Sequence, residues 1–291
     1  MVLDLAQADP ATSIPVLHAI VLGITQGLSE FLPISSSGHL ILVPWLFGWK
    51  ELTGPVNVDL NKTFDVALHV GTILASLAYF RRDLARLARA GLTSIRQRAV
   101  RTTDERLAWL LVLSAVPGAI VGVALESVIN ERLGEIWLIA VMLIVFGLVL
   151  ALADRLPSNL AEGDYGRRQA LIMGLAQAAA LSPGVSRSGI TITAGRFLGF
   201  DRNAAARLSF LMSMPITGGA ALFKGVELAV DGLPPGTAPA FFWGIVASGI
   251  TGLAAVWLVL KVVRTQSFLP FVTYRVLAGL AVLAVLASPL R

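Results

Sequence analysis

The stretch Gln26–Leu40, QGLSEFLPISSSGHL, decides the fold, because it sets a glutamine, a glutamate, a histidine and four serines into an apolar chain. The 291 residues are 56% hydrophobic and only 14% charged, with a mean hydropathy of +0.77. Soluble domains average about 25% charged residues. The deficit indicates an integral membrane protein, in which so polar a stretch needs a purpose.

The charges follow the pattern of membrane topology. The net charge is +5, and most cations are arginines in short loops, eight of them in the loop Arg81–Arg106. Such an excess marks a cytoplasmic loop, and alternation from there puts both termini outside. Topology therefore explains the pI of about 10.1 without a nucleic acid partner. The chain has no cysteine, which excludes disulfides and thiolate metal sites.

Six apolar segments are predicted to cross the bilayer. A spanning helix needs roughly 20 mainly apolar residues, so the first and fourth segments need help from their flanks. The segments are Val66–Phe80, Leu107–Leu125, Ile136–Ala153, Leu208–Phe223, Ala238–Leu260 and Phe268–Leu290.

Two further apolar regions, residues 14–49 and 171–198, are interrupted by helix breakers. The breaks fall at Pro33 and Gly38 in the first region and at Pro183, Gly184 and Gly189 in the second. A proline within a helix frees backbone carbonyls that hydrocarbon cannot satisfy, so such a break must be buried in protein or line a wet cavity. We expect two re-entrant helical hairpins; a pair of kinked spanning helices is the alternative.

The two halves of the chain resemble each other. PISSSG (33–38) and PGVSRSG (183–189) each follow a helix with a glutamine, GITQ (23–26) and GLAQ (174–177). Their opposite entry sides predict an inverted repeat whose breaks meet near the midplane. We therefore predict an all-α polytopic membrane protein, one domain over residues 1–291, with a first repeat at 14–153 and a second at 168–290.

The first break carries acid–base chemistry. Gln26 and Glu30 lie at i and i+4 and share a helix face. A carboxylate in a membrane is costly and needs a cation, a proton or several donors. The three serines that follow can cap the next helix. Capping alone does not account for these serines together with Glu30 and His39.

The second break is typical of an anion site. Ser186, Ser188 and Thr191 surround Arg187 at the start of a predicted helix. A helix N-terminus favours negative charge, and arginine offers a planar fork of donors to phosphate oxygens. The alternative is that Arg187 only adds to the cytoplasmic excess of arginine, but it lies between a proline and a glycine rather than in a basic loop.

Together these residues suit phosphoryl transfer to water. Arg187 and the helix terminus bind phosphate, and a divalent cation on Glu30 neutralises further charge. Either His39 or a serine attacks, or His39 shuttles the proton. Gln26 orients the metal or a water. His69 is predicted to line or support the cavity.

One more arginine lies near the predicted membrane boundary. Arg275 falls close enough to the cytoplasmic end of the last span to snorkel, keeping its charged head in water.

Both motifs resemble signature segments of the undecaprenyl-diphosphate phosphatase family, the bacitracin-resistance type of bacterial inner-membrane enzyme. QGLSEFLPISSSGHL is similar to the family's pattern of glutamate or glutamine, three residues and glutamate, followed by proline, serines, glycine and histidine. LSPGVSRSGITITAGRFLGF (181–200) is similar to its proline, glycine and serine-arginine-serine pattern with a threonine. The likeness covers nearly the whole chain.

The resemblance implies hydrolysis of undecaprenyl diphosphate to the monophosphate, which recycles the lipid carrier of peptidoglycan synthesis. It implies a bacterial inner-membrane location, a site facing the periplasm, a divalent cation such as Mg²⁺ or Ca²⁺, and bacitracin competing for the substrate. Membrane lipids are the other partners, and a homodimer is left open.

By motif position, the resemblance assigns a role to each site residue. The acidic base and metal role falls on Glu30, the hydroxyl and imidazole roles on Ser36 and His39, and phosphate binding on Arg187. The supporting substrate-binding residues are Gln26, Ser35, Ser186, Ser188 and Thr191. Gln26 stands where many members have a second acid, which leaves one carboxylate in the motif. Whether Ser36, His39 or water attacks stays open.

Two other functions compete with this one. A transporter or flippase of a phosphate-bearing prenyl lipid also uses broken helices at the midplane, but it does not need Glu30 and His39 arranged for hydrolysis. The other class of membrane lipid phosphatase requires an arginine-proline pair and a histidine late in the chain. This sequence has neither an Arg-Pro pair nor a histidine after His69, so we reject that class.

Overall fold

The described part of the chain folds mainly into α-helices. The computed structural model describes residues 14–53, 58–124, 134–233 and 236–289. Its first half contains α1 (Val16–Phe31), α2 (Ser36–Phe47), α3 (Lys50–Thr53), α4 (Val58–Tyr79), α5 (Arg81–Gln97), α6 (Thr103–Ala124) and α7 (Ile136–Asp154). Its second half contains α8 (Arg167–Ala179), α9 (Arg187–Phe197), α10 (Arg202–Asp231), α11 (Ala238–Val262) and α12 (Leu269–Leu286).

Each of the six predicted spans falls in one long helix, namely α4, α6, α7, α10, α11 and α12, although the ends of some predicted spans lie outside the described residues. By length and hydropathy, α6, α7, α11 and α12 qualify as membrane spans. A bent pair qualifies as one more: α4 from Leu60 turns by 81° into α5. The helix α4 is longer than predicted, because it begins at Val58 rather than Val66. The all-α polytopic membrane fold is confirmed.

Both predicted hairpins are pairs of helices around a break. The first consists of α1 and α2, and the second of α8 and α9. Each second helix begins after a serine with positive φ, 79° at Ser35 and 75° at Ser186. This left-handed region is uncommon for residues other than glycine, so both breaks hold the same unusual turn. The two serines stand 151 residues apart, as do Gln26 and Gln177.

The two halves interlock through their entry helices. Helix α1 packs against α11 of the second half, and α8 packs against α6 of the first half. Both entry helices have a glycine at the equivalent position, where the backbone of the neighbouring helix comes very close. A Cβ on Gly23 would lie 2.4 Å from the carbonyl oxygen of Gly244, and one on Gly174 would lie 2.6 Å from that of Ser114. Any side chain at either position would force the helices apart.

The prediction that Arg275 snorkels to water is wrong. Its side chain projects from α12, is completely buried and donates to five backbone carbonyls, and no carboxylate of the described residues pairs with it. The acceptors are Leu143, Pro33, Met142, Gly184 and Val185, at 2.9 to 3.3 Å. Three of these carbonyls belong to the two breaks, where no helix can satisfy them. Arg275 therefore ties both breaks to α7.

Candidate active site

Glu30 is the centre of the candidate site. It lies in the last turn of α1, where the helix dipole disfavours a negative charge, and it is 7% exposed. Its Oε2 accepts a hydrogen bond from the Ser36 hydroxyl at 2.6 Å and one from Gln26 Nε2 at 3.1 Å. Its Oε1 accepts from Nη2 of Arg187 in an ion pair. These donors offset the cost of burying the carboxylate.

Packing fixes the direction of this carboxylate. The neighbouring Phe31 is 2% exposed, and its ring meets that of Phe210 edge to face, with centroids 5.5 Å apart. Such aromatic pairs add stability beyond the area they bury. With Phe31 held in the core, the preceding residue, Glu30, faces the second break.

Arg187 brings the second half of the chain to the site. It is the first residue of α9, so its charge lies at the positive end of that helix, where a bound anion would be favourable. Only Nη2 is used by Glu30. Among the described residues, Nη1 is buried without a hydrogen-bond partner. A buried guanidinium N–H is rarely left unsatisfied, so this atom indicates a ligand with an acceptor oxygen.

The structure separates His39 from these groups. Its Nδ1 lies 2.7 Å from the carbonyl oxygen of Ser35 and its Nε2 lies 2.7 Å from the hydroxyl of Tyr274. The two rings also stack, with centroids 5.6 Å apart. Glu30, Ser36 and Arg187 therefore meet, while both nitrogens of His39 are used elsewhere.

A second histidine lies closer to the carboxylate. His69 on α4 places Nε2 3.7 Å from Glu30 Oε2, and its Nδ1 lies 2.8 Å from the carbonyl oxygen of Asp65. Since a carbonyl only accepts, Nδ1 carries a proton and donates it in this hydrogen bond. The imidazole aimed at Glu30 is thus that of His69.

The remaining predicted residues hold the frame of the two breaks. Ser35 Oγ accepts from the backbone N–H of Gly38 at 3.4 Å and of Gly184 at 3.0 Å, which links the breaks. Ser186 Oγ caps α9 by accepting from the N–H of Gly189 at 3.1 Å. Two more hydroxyls complete the frame: Ser188 donates to the Leu32 carbonyl, and Thr191 bonds to the Arg187 carbonyl and the Ser209 hydroxyl.

A cavity of about 300 Å³ opens beside Arg187. It lies between α4, α8, α9 and α10. Its lining is mostly apolar and consists of Val66, His69, Gln177, Ala180, Leu181, Arg187, Ile216 and Thr217. A much smaller pocket adjoins it at Glu30, and His69, Arg187 and Thr217 line both. The arrangement suits a ligand with an anionic end at Arg187 and an apolar remainder.

Sequence reasoning missed Tyr274, the partner of His39, and Gln177, which lines the cavity. Tyr274 offers no signal, because it lies on the last apolar span, 235 residues from its partner His39. For Gln177 the sequence does offer a signal, because GLAQ places it at the position that Gln26 has in GITQ.

The oxygen donors near Glu30 suit a hard cation. Across the described residues, no three His, Cys, Asp or Glu side chains are grouped as a metal site. The Glu30 carboxylate is nevertheless next to the Ser36 hydroxyl, and Oε1 of Gln26 is buried without a hydrogen-bond partner in the described part of the chain. Mg²⁺ and Ca²⁺ take oxygen ligands, and Mg²⁺ is usually held by one or two carboxylates with substrate phosphates.

Comparison with known proteins adds the family. The model of the family described as bacitracin resistance protein BacA matches residues 19–281. The chain is 50% identical to an undecaprenyl-diphosphatase of Geobacter sulfurreducens, over 93% of this chain and 98% of that protein. It is 48% identical to one of Pelobacter propionicus, over 94% and 97%, and 42% identical to one of Thermomicrobium roseum, over 94% and 98%. This chain therefore belongs to the BacA family of bacitracin resistance proteins.

Proposed function

We propose that this protein hydrolyses undecaprenyl diphosphate to undecaprenyl phosphate and inorganic phosphate, which recycles the lipid carrier of peptidoglycan synthesis. One observation carries the proposal: the two breaks bring together a carboxylate, a hydroxyl and an arginine beside an apolar cavity, and Nη1 of that arginine has no hydrogen-bond partner in the part of the chain that the structure describes. The relatives named undecaprenyl-diphosphatase, aligned over nearly their full length, support the same activity.

The site divides the substrate into a charged and an apolar part. Arg187 keeps Nη2 on Glu30 and offers Nη1 to an oxygen of the terminal phosphate. The positive end of α9 adds to this attraction. The apolar wall formed by Val66, Leu181 and Ile216 receives the first part of the prenyl chain, and the rest lies in lipid.

Ser36 is the nucleophile that the geometry favours. Its hydroxyl already donates to Glu30 Oε2 at 2.6 Å, so the carboxylate can take the proton as the new bond from Oγ to phosphorus forms. The bond from that phosphorus to the bridging oxygen breaks, the protonated Glu30 gives its proton to that oxygen, and undecaprenyl phosphate leaves. Water then gives a proton to the regenerated Glu30 carboxylate and attacks the phosphoserine. The bond from phosphorus to Oγ breaks, Ser36 regains the proton from Glu30, and inorganic phosphate leaves. Arg187 balances charge on the phosphoryl oxygens throughout.

A divalent cation is part of the proposal. Glu30 and the amide oxygen of Gln26 would hold it, with diphosphate oxygens and water as further ligands. When bound, Mg²⁺ or Ca²⁺ supplies charge neutralisation of the diphosphate. Because Gln26 stands where many family members have a second acid, the diphosphate would contribute a larger share of the cation binding.

The predicted setting completes the proposal. The protein is a multi-pass membrane protein, and we place it in the bacterial inner membrane with the site open to the periplasm. Bacitracin would then compete for undecaprenyl diphosphate on the same side of the membrane. A homodimer stays a prediction.

Phosphate release by the purified protein tests the function. We expect turnover of undecaprenyl diphosphate that needs Mg²⁺ or Ca²⁺, stops with a chelator, and falls at least about a hundredfold in Arg187→Ala and Glu30→Ala, as is usual when a charge-stabilising or proton-transfer group is lost. Absence of turnover by the wild type with either metal would overturn the proposed hydrolysis and favour transport of a phosphate-bearing prenyl lipid.

A further inference from the structure

The side-chain amide of Gln177 is buried in the wall of the cavity. It lies on α8, is 4% exposed and lines the 300 Å³ cavity. Neither Nε2 nor Oε1 has a hydrogen-bond partner among the residues that the structure describes. Leaving a buried polar group unsatisfied costs about 1–3 kcal/mol, so two such atoms on one side chain indicate a ligand.

The repeat explains why this amide is free. Gln26 occupies the same position in the first half and donates to Glu30, four residues later. The residue four positions after Gln177 is Leu181, which has no acceptor. The second half therefore retains the glutamine without its carboxylate, and the amide faces the cavity instead.

The position of Gln177 indicates which phosphate of the substrate lies near it. Arg187 lines both the small pocket at Glu30 and the larger cavity, whereas Gln177 lines only the larger one. A phosphate at Glu30 and Arg187 is the terminal one, which is cleaved. The next phosphate, between Arg187 and the apolar wall, is the one that carries the lipid and stays with the product.

We propose that Gln177 is a substrate-binding residue for the lipid-bearing phosphate, donating from Nε2 to an oxygen of that group. This inference rests on the proposed function and adds a subsite to it. Because the lipid-bearing phosphate is bound before and after cleavage, Gln177 contributes equally to the ground state and the transition state. Losing such uniform binding raises KM and leaves kcat unchanged.

The test compares inhibition by the two products. Gln177→Met keeps the length of the side chain and removes the donor. We expect KM for undecaprenyl diphosphate and the inhibition constant of undecaprenyl phosphate to rise together, about tenfold or more, as for a lost hydrogen bond to a charged group. Inhibition by inorganic phosphate, which occupies the terminal subsite, should stay within about twofold, and kcat within about threefold.

Two further variants separate binding from packing. Gln177→Glu preserves the shape but repels phosphate, so its inhibition constant for undecaprenyl phosphate should exceed that of Gln177→Met. Gln169→Leu makes a similar change on the same helix, about 12 Å away along the axis, and should behave as the wild type. Thermal unfolding of all variants checks that they are folded.

The outcomes distinguish this inference from the function it rests on. If the wild type is active and Gln177→Met leaves both constants unchanged, the amide is satisfied by buried water and the subsite does not exist. If only inhibition by inorganic phosphate weakens, Gln177 serves the terminal phosphate and the assignment is wrong. If the wild type releases no phosphate, the proposed function itself fails.

Discussion

The first and second breaks have the same backbone conformation and differ in the side chains that it presents. Each has a serine with positive φ whose hydroxyl accepts from a glycine N–H three residues later. At the next position the first break has Ser36 and the second has Arg187. The common turn therefore fixes where two side chains point, and the sequence decides their chemistry.

A second difference lies in the helix before each break. The first half places Glu30 four residues after its glutamine, and the second half places Leu181 there. One break thus provides a base and a hydroxyl, and the other provides a cation and an apolar wall. A symmetric site would put two carboxylates or two arginines together, which like-charge repulsion disfavours. The asymmetry is what lets the two breaks form one site.

The largest effect should follow from erasing the carboxylate. Glu30→Gln keeps the shape but removes the base and the partner of Arg187, so we expect kcat to fall about a thousandfold, equivalent to about 4 kcal/mol. The matched control is Leu181→Gln, which introduces the same residue at the equivalent position of the second half. It should change kcat by less than about tenfold. Phosphate release measures both. A Glu30→Gln variant that keeps a tenth of its activity would remove Glu30 from the chemistry.

Much of this asymmetry can be predicted from the sequence. Pro33, Gly38, Pro183 and Gly189 mark the breaks, since hydrocarbon tolerates a broken helix only beside protein or water. The pairing of Glu30 with Arg187 rests on the repeat, which predicts that the breaks meet. Local patterns give the breaks, because each depends on residues a few positions apart, and the repeat relates one break to the other.

Two features could not be predicted because they depend on long-range packing. Arg275 resembles a snorkelling residue in the sequence, yet the carbonyls of both breaks bind it in the interior. His39 follows the motif in the sequence, yet its ring faces Tyr274 from the last helix. In each case the contact depends on how α12 packs against the rest of the protein, and the local periodicity of the sequence does not predict that packing.

The next largest effect should come from removing the residue that ties both breaks. Arg275→Met removes a donor from each of five carbonyls, four of them in fully buried hydrogen bonds, so we expect a loss of at least about 3 kcal/mol of unfolding free energy, or a fall in Tm of about 6 °C or more. Arg264→Met, at an exposed arginine, is the control and should leave Tm unchanged. Thermal unfolding in detergent measures both. An unchanged Tm in Arg275→Met would show that the breaks hold without it.

The two caps should differ by a smaller amount. Ser35 Oγ accepts from two backbone N–H groups, one in each break, whereas Ser186 Oγ accepts from one. Ser35→Ala should therefore cost about 2 kcal/mol and Ser186→Ala about 1 kcal/mol. Glycine at either position loses the cap but relieves the positive φ, so it should be less harmful than alanine. Equal losses for the two alanine variants would contradict the bridging role of Ser35.

The smallest effect should arise where the first break meets the last helix. At the position after the glycine, the first break has His39 and the second has Ile190, which cannot bond to a neighbour. Tyr274→Phe removes the hydroxyl partner of His39 Nε2 but retains the stacked ring. If His39 braces the break, one neutral hydrogen bond is lost, worth about 1 kcal/mol, and kcat should fall no more than about fivefold. A fall beyond about a hundredfold, with Tm unchanged, would instead place the phenol and the imidazole in the path of the proton, and the site would then extend from Glu30 to α12.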